Sequence, residues 1–179
     1  HLGTLSAGLL ALAFFLAAAA KSGALPFSPW IARALEGPTP SSAIFYGSLM
    51  VHAGVYLVIR LAPLFQQAPA VMALVALCGL LTALYGWLGG LVQTDVKSAL
   101  MFSTTAQVGL MFFACGLGWF DIAALHLLAH ASWRAYHFFN APGLMHLTPD
   151  PLRPVPAWLT RYPGLYTAVL RRFWLDELA

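Results

Sequence analysis

Apolar runs long enough to cross a lipid bilayer recur along this sequence of 179 residues. A hydrocarbon core of ~30 Å needs ~20 apolar residues in a helix. The backbone must satisfy its own hydrogen bonds in lipid, so segments of this length are expected to be helices. Hydrophobic residues make up 60% of the chain and charged residues 8%, whereas about a quarter of a soluble protein is charged. The sequence therefore predicts an all-α, polytopic transmembrane bundle with discontinuous helices.

About five spans are expected in this chain. They cover residues 5–35, 43–59, 71–92, 99–117 and 122–139, and the first is interrupted at "KSGALPFSP". We predict one transmembrane domain over residues 1–146. Residues 147–179 are predicted to form a linker, rich in proline, and an amphipathic tail helix that lies on the membrane or against a partner.

The charges exclude some functions. The formal net charge is +3, but the basic residues are scattered between apolar runs, so no nucleic-acid surface is predicted. The positive-inside rule places the tail and "QTDVK" in the cytoplasm, and we expect a bacterial inner membrane. Cys78 and Cys115 lie inside apolar runs without metal-ligand spacing. We identify no motif for a flavin, quinone, iron–sulfur cluster or other cofactor.

Lys21 follows an apolar run and precedes Pro26 and Pro29. A charge inside a membrane segment costs at least ~2.5 kcal/mol, so it usually marks a functional site that faces protein or water. The alternative is a lysine at a helix end whose amine reaches the interface. The helix break favours the functional interpretation, because broken helices at membrane depth line protein or hydrated cavities. There a lysine can bind and release a proton.

The stretch "LHLLAHASWRAYHFF" places His126, His130 and Arg134 at spacing i, i+4, i+8. All three therefore share one helix face, which cannot face lipid. Two histidines beside a permanent cation are suited to relaying protons. Zinc binding and a purely structural polar contact between helices are the alternatives. A zinc protease helix has Glu after its first His, whereas Leu127 stands here.

Lys97 lies where a helix begins, next to Asp95, in "LVQTDVKSALMFSTTAQVG". The hydroxyl and amide side chains that follow are unusual on a lipid face. A helix start whose lysine reaches the membrane interface is the alternative. His52 is a lone polar residue within the second predicted span. It could join a hydrated path or satisfy a carbonyl in the core.

Three stretches resemble one family over residues 17–146: "KSGALPFSPWIARALEGPTPSSA", "LVQTDVKSALMFST" and "HLLAHASWRAYHFF". This is the antiporter-like, proton-translocating membrane subunit family. It includes the largest antiporter-like subunit of respiratory complex I, the large subunit of multisubunit cation/proton antiporters and the membrane subunit of bacterial inorganic-carbon pumps. The resemblance implies that the chain corresponds to the second half of a larger transporter with inverted repeats.

The resemblance also implies roles along a central proton path. Lys21 matches the lysine of a discontinuous helix, Lys97 matches a second lysine, and His126 and His130 match a broken helix that bears histidines. Arg134 stands where the family usually has lysine. Since arginine stays protonated, it can tune a neighbour but cannot pass on its own proton.

Arg134 and the stretches "RAYHFFNAPG" and "IFYGSLMVHAGVY" depart from the complex I pattern. These departures favour the inorganic-carbon pump subunit as the subtype. The alternatives are a complex I L-type subunit and a membrane anchor that conducts nothing. We expect a chain that moves protons (or Na+) along Lys21, Lys97, His126, His130, Arg134 and His52. It is not expected to be catalytic by itself, although it could belong to a translocase. Expected partners are other subunits of a membrane complex or a large soluble protein, and no bound metal is predicted.

Overall fold

The structure, a computed structural model, describes residues 3–32, 44–45, 49–94 and 96–140. Within these ranges the regular elements are all helices. They are α1 (Thr4–Ser22), α2 (Pro29–Ala32), α3 (Ala53–Arg60), α4 (Ala62–Phe65), α5 (Pro69–Leu91), α6 (Val96–Gly116) and α7 (Phe120–Asn140). The predicted linker and tail helix lie outside the described residues and stay predictions.

Three of the described helices are long and apolar enough to cross a membrane. Their segments are Leu5–Ser22, Pro69–Leu91 and Lys97–Gly116, which match the first, third and fourth predicted spans. Helix α7 has 21 residues, a length of ~31 Å, but its arginine and histidines lower its hydropathy. It occupies the fifth predicted span. Helix α3 supplies the last part of the second.

The predicted interruption of the first span is present. Helix α1 ends at Ser22, and Gly23 follows with φ of 64°. This left-handed conformation favours glycine, and a Cβ there would lie 2.9 Å from Cδ1 of Ile31. Helix α2 then begins at Pro29, whose missing N–H suits the first turn of a helix. The membrane segment is therefore discontinuous.

Protein groups satisfy the backbone at this interruption. The Leu25 N–H donates to Oγ1 of Thr82 on α5 at 3.0 Å, and the Thr82 hydroxyl donates to the Cys78 carbonyl at 2.7 Å. The Trp30 indole N–H donates to the Ala20 carbonyl at 3.1 Å. Because an unpaired backbone group costs several kcal/mol in lipid, these contacts make the interruption stable.

The second break differs from the prediction. The family resemblance implied a broken helix at His126 and His130, but α7 is continuous from Phe120 to Asn140. The sequence explains this, because residues 120–140 contain neither glycine nor proline.

Helices α5 and α6 form an antiparallel pair in which the backbones touch; we call this pair the glycine hairpin. A Cβ on Gly79 would contact the Gly109 carbonyl oxygen at 2.7 Å, and a Cβ on Gly109 would contact the Gly79 carbonyl oxygen at 2.7 Å. Gly86 is equally close to the Phe102 carbonyl. The absence of side chains at these positions lets the helices approach closely, as small residues do in membrane proteins.

Large apolar side chains cover the outer surface of the bundle. Leu77 and Leu88 on α5 and Leu125 and Leu128 on α7 are more than half exposed. Inside, the Phe15 ring packs edge-on against Phe112 at 5.9 Å between centroids. A soluble protein rarely exposes such a continuous apolar surface. The protein is an all-α, multi-pass membrane bundle.

Candidate functional site

A group of polar side chains lies where α3, α6 and α7 meet; we call it the histidine cluster. Its members are His52 just before α3, Ser103 and Gln107 on α6, and His126, His130 and Arg134 on α7. Hydrogen bonds join these residues into two branches.

The predicted helix face on α7 points inward. His130 is 8% exposed and Arg134 is 7% exposed, while Leu128 and Trp133 on the same helix point outward. The rings of His126 and His130 meet edge to face, 6.0 Å apart. The i, i+4, i+8 spacing therefore places the three polar residues against other helices, as predicted.

The first branch runs from α3 through α7 to α6. His52 Nε2 lies 3.0 Å from His130 Nδ1. On the other side of the His130 ring, Nε and one terminal nitrogen of Arg134 each lie 3.4 Å from Nε2. A terminal nitrogen of Arg134 also donates to Oγ of Ser103 at 2.9 Å. Of the two alternatives given for His52, a place on a polar path and a bond to a core carbonyl, the contact with His130 favours the first.

The second branch is shorter. His126 Nε2 lies 2.9 Å from Oε1 of Gln107. An amide oxygen only accepts hydrogen bonds, so this nitrogen of His126 carries a hydrogen. The edge-to-face contact with His130 places this branch beside the first. One turn of α6 separates Gln107 from Ser103, so a single face of α6 serves both branches.

The charge in the cluster is a cation. Asp121 is the one acidic residue within the described ranges, and it lies in the first turn of α7. It lies thirteen positions before Arg134, which corresponds to ~20 Å along the helix. Among the described residues, Arg134 therefore contacts neutral groups, the Ser103 hydroxyl and the His130 ring, and no carboxylate lies beside it. Such an arrangement creates a positive potential at His130.

Lys21 lies in a different place from the cluster. It is exposed and lines a cavity of about 460 Å³ between α1 and α3, together with Tyr56 and Arg60. A second cavity of about 330 Å³ is lined by His52 and Leu127 among others. Both cavities include Ala53 and Tyr56 in their walls. These two residues separate the surroundings of Lys21 from those of His52.

Sequence analysis missed Tyr56 and Arg60. They follow His52 at spacing i+4 and i+8, which is the same pattern that singled out His126, His130 and Arg134. That spacing was the available signal. The prediction treats His52 as a lone polar residue and does not extend the spacing to these two positions.

Lys97 is buried, at 3% exposure, near the start of α6. It shares a helix face with Met101 and Thr104, whereas Ser103 points about 120° away, toward α7. Lys97 lies ~9 Å before Ser103 along the helix. The structure therefore buries Lys97 as a functional lysine requires, but it does not bring Lys97 into hydrogen-bonded contact with the histidine cluster.

The zinc alternative gains no support within the described residues. No group of three or more His, Cys, Asp or Glu side chains among them is arranged to hold a metal ion. Protein groups already approach both ring nitrogens of His130. The remaining α7 histidine, His137, packs edge-on against Trp133 at 4.6 Å.

Comparison with known proteins gives one family match. The profile described as "NADH:quinone oxidoreductase/Mrp antiporter, TM" matches residues 2–150 of the chain. This match covers every described helix and all six residues predicted to lie on the proton path.

Similar curated proteins carry related names. "NADH-ubiquinone oxidoreductase chain 5" of Metridium senile is 38% identical over 164 residues, 90% of this chain and 27% of that protein. "NADH-quinone oxidoreductase subunit L" of Rhodobacter capsulatus is 43% identical over 141 residues, 79% of this chain and 20% of that protein. The subunit L of Campylobacter jejuni is 42% identical over 144 residues, 80% of this chain and 24% of that protein. The chain thus spans about a quarter of the length of these relatives.

Proposed function

Since this chain belongs to the NADH:quinone oxidoreductase/Mrp antiporter transmembrane family, we propose that it forms part of a proton-conducting membrane subunit of the NADH-quinone oxidoreductase type. The family match confirms the resemblance that the motifs predicted. The relatives reported above are named subunit L and chain 5 of such oxidoreductases. They favour the complex I alternative and give no support to the inorganic-carbon pump subtype.

The observation that carries the proposal is the buried hydrogen-bonded branch from His52 through His130 to Arg134 and Ser103. A bundle that needed only stability would gain more from apolar packing here, because buried polar groups and charges are costly. Histidines change charge near neutral pH when their surroundings allow it. Two of them in contact, between separate helices, form an element that protons can use.

The chemistry of the cluster favours protons over Na+. Sodium is a hard cation that binds carboxylate, carbonyl and hydroxyl oxygens, as other hard cations do. The oxygens of Ser103 and Gln107 already accept hydrogen bonds from Arg134 and His126. The other groups are imidazole nitrogens and the guanidinium, which repels cations. We therefore assign the proton as the transported ion.

The proposed path uses Lys21 and Lys97 as groups that bind and release protons, and His126, His130 and His52 as relay groups. Support for Lys21 comes from its cavity, which adjoins the cavity of His52. Support for Lys97 comes from its burial in α6, the helix that also positions Ser103 and Gln107. Arg134 tunes the path through its fixed charge.

We further propose that the subunit works with other membrane subunits in a multisubunit oxidoreductase. The relatives come from bacteria and from eukaryotes, and one is named "chloroplastic". We therefore propose that the chain lies in an energy-converting membrane. The bacterial inner membrane remains a prediction.

The test is proton flux in liposomes that contain the full-length protein within its native complex. His130→Leu removes the link between the two sides of the branch, so we expect flux to fall roughly a hundredfold, as for loss of a proton-transfer group. The folded fraction and subunit composition should match those of the unsubstituted complex.

The control is Ser132→Ala on the same helix. Ser132 is exposed and its hydroxyl bonds to the Leu128 carbonyl within α7, so flux should not change. Unchanged flux in a correctly assembled His130→Leu complex would refute the proposed path. An intact complex that conducts no protons even without substitution would support the membrane-anchor alternative.

A further inference from the structure

We propose that Arg134 is a positioning residue that locks the proton of His130 on Nδ1 and so closes the His52–His130 pair to protons that arrive from the Arg134 side. This inference rests on the proposed proton path and adds a gate to it. It follows from which atoms can donate and which can accept.

The contact between Arg134 and His130 determines where the histidine carries its hydrogen. All five N–H groups of a guanidinium are donors, and arginine does not lose its proton in proteins. Two nitrogens of Arg134 lie 3.4 Å from His130 Nε2. That ring nitrogen must then present its lone pair. A neutral imidazole has one donor and one acceptor nitrogen, so the hydrogen is on Nδ1.

The position of the hydrogen on His130 also determines which atom donates in the contact with His52. The Nδ1–H of His130 points at His52 Nε2 across 3.0 Å. This nitrogen of His52 therefore accepts, and the hydrogen of a neutral His52 is on its own Nδ1. The hydrogen bond thus has one direction, from α7 to α3.

The position of Arg134 is itself held from α6. A terminal nitrogen donates to Ser103 Oγ at 2.9 Å while the Nε edge faces His130. The planar guanidinium can reach both groups because its donors form a rigid fork, which a lysine amine does not provide. Burial of Arg134 keeps competing water away from this geometry.

The lock has a consequence for proton transfer. A proton can cross His130 only if a new proton binds at Nε2 while the Nδ1 proton moves to His52 Nε2. The ring ends with one hydrogen, as it began, and His52 gains one. Binding at Nε2 requires the guanidinium N–H groups to move away from that nitrogen. Arg134 must therefore swing aside before the pair can pass a proton.

Nitrogen-15 NMR of the full-length protein in lipid, with labelled histidine, tests the lock. At about pH 8 an ordinary histidine is neutral. We expect His130 to show hydrogen on Nδ1 alone, with an unprotonated Nε2. In Arg134→Met, which keeps length but removes the donors, we expect this single form to be lost and an Nε2–H form to appear. Arg134→Lys should restore the Nδ1–H form in part, because its amine is again a donor.

Ser132→Ala is the matched control. It removes an exposed hydroxyl on the same helix that bonds to the Leu128 carbonyl within α7, so the Nδ1–H form should persist. An Nε2–H form in the unsubstituted protein would overturn the inference, as would an unchanged spectrum in Arg134→Met. Proton flux measured on the same samples tests the proposed function separately, since the hydrogen position and the flux are independent readouts.

Discussion

The glycine hairpin and the histidine cluster share α6, yet they hold helices together in opposite ways. On one face of α6, Gly109 lets α5 approach until backbone touches backbone. On another face, Ser103 and Gln107 reach α7 through side-chain hydrogen bonds of 2.9 Å. At Gly79 and Gly109 the first contact has no side chain between the helices. The second consists entirely of polar side chains.

The difference has a physical meaning for transport. Dispersion between close backbones is not directional, and the close packing leaves no space for water. We therefore describe the glycine hairpin as a rigid wall, meaning a dry contact that holds α5 and α6 in fixed positions. Hydrogen bonds in the cluster are directional and can be exchanged, and two cavities lie beside His52 and Lys21. A proton path needs the second kind of contact, while the first kind keeps α6 fixed against α5.

The largest loss of stability is expected where a side chain is added at the close contact between α5 and α6. Gly109→Val would push two methyl groups against the backbone of α5 near Gly79 and Ala83. Overpacking of this kind costs about 3 kcal/mol, so we expect a marked loss of thermal stability in detergent. Gly90→Ala on α5 is the control, since its Cβ would meet Phe102 at an ordinary 3.7 Å. Equal stability of the two variants would contradict the rigid-wall interpretation.

A smaller effect is expected at the junction between the hairpin and α1. Thr82→Val keeps the shape of the side chain but removes the acceptor of the Leu25 N–H. A buried unpaired amide costs about 1–3 kcal/mol. Hydrogen exchange at Leu25 should accelerate and the unfolding temperature should fall. Thr82→Ser retains the hydroxyl and should behave nearly like the unsubstituted protein; if it loses as much stability as Thr82→Val, the hydrogen bond is not the cause.

Within the cluster the expected effect on stability is smaller again. Gln107→Leu removes the partner of His126, and the loss of one hydrogen bond costs about 1 kcal/mol. Proton flux should fall, because the ring of His126 loses its fixed orientation. Gln67→Leu is the matched control, since exposed Gln67 bonds to the Pro63 carbonyl outside the cluster. Similar flux in both variants would remove His126 from the path.

The two regions also differ in how far the sequence predicts them. The spacing of His126, His130 and Arg134 predicts their shared face, because helix periodicity is local. The pairing of His52 with His130 joins residues 78 positions apart. Only the packing of α3 against α7 determines it. The same holds for Gly79 and Gly109, whose mutual contact depends on the register of the hairpin.

Local sequence signals at α7 and at Tyr56 also bear on the difference between prediction and structure. The family resemblance implied a broken helix at His126, although the absence of glycine and proline from residues 120–140 favours the continuous α7. Tyr56 carried a readable signal, since it lies four residues after His52. The break after Lys21, in contrast, was predictable because Pro26 and Pro29 cannot continue α1.

Tyr56 provides the prediction with the smallest effect on stability and the most specific effect on transport. It lines both cavities and, unlike Ala53, brings a polar group to the wall that the two cavities share. Tyr56→Phe removes one oxygen from an exposed side chain, and unfolding should change by less than about 0.5 kcal/mol. Flux should nevertheless fall, because a purely apolar wall would separate the two cavities.

Tyr85→Phe is the control for this change. Tyr85 lies on α5 of the glycine hairpin, where its ring packs against Phe102 at 5.8 Å, and it lines neither cavity. The same chemical change in the rigid wall should leave flux unaltered. If Tyr56→Phe conducts as well as Tyr85→Phe, protons do not pass between the two cavities at Tyr56. Lys21 and His52 would then have to belong to separate routes, and the cluster would need another source of protons.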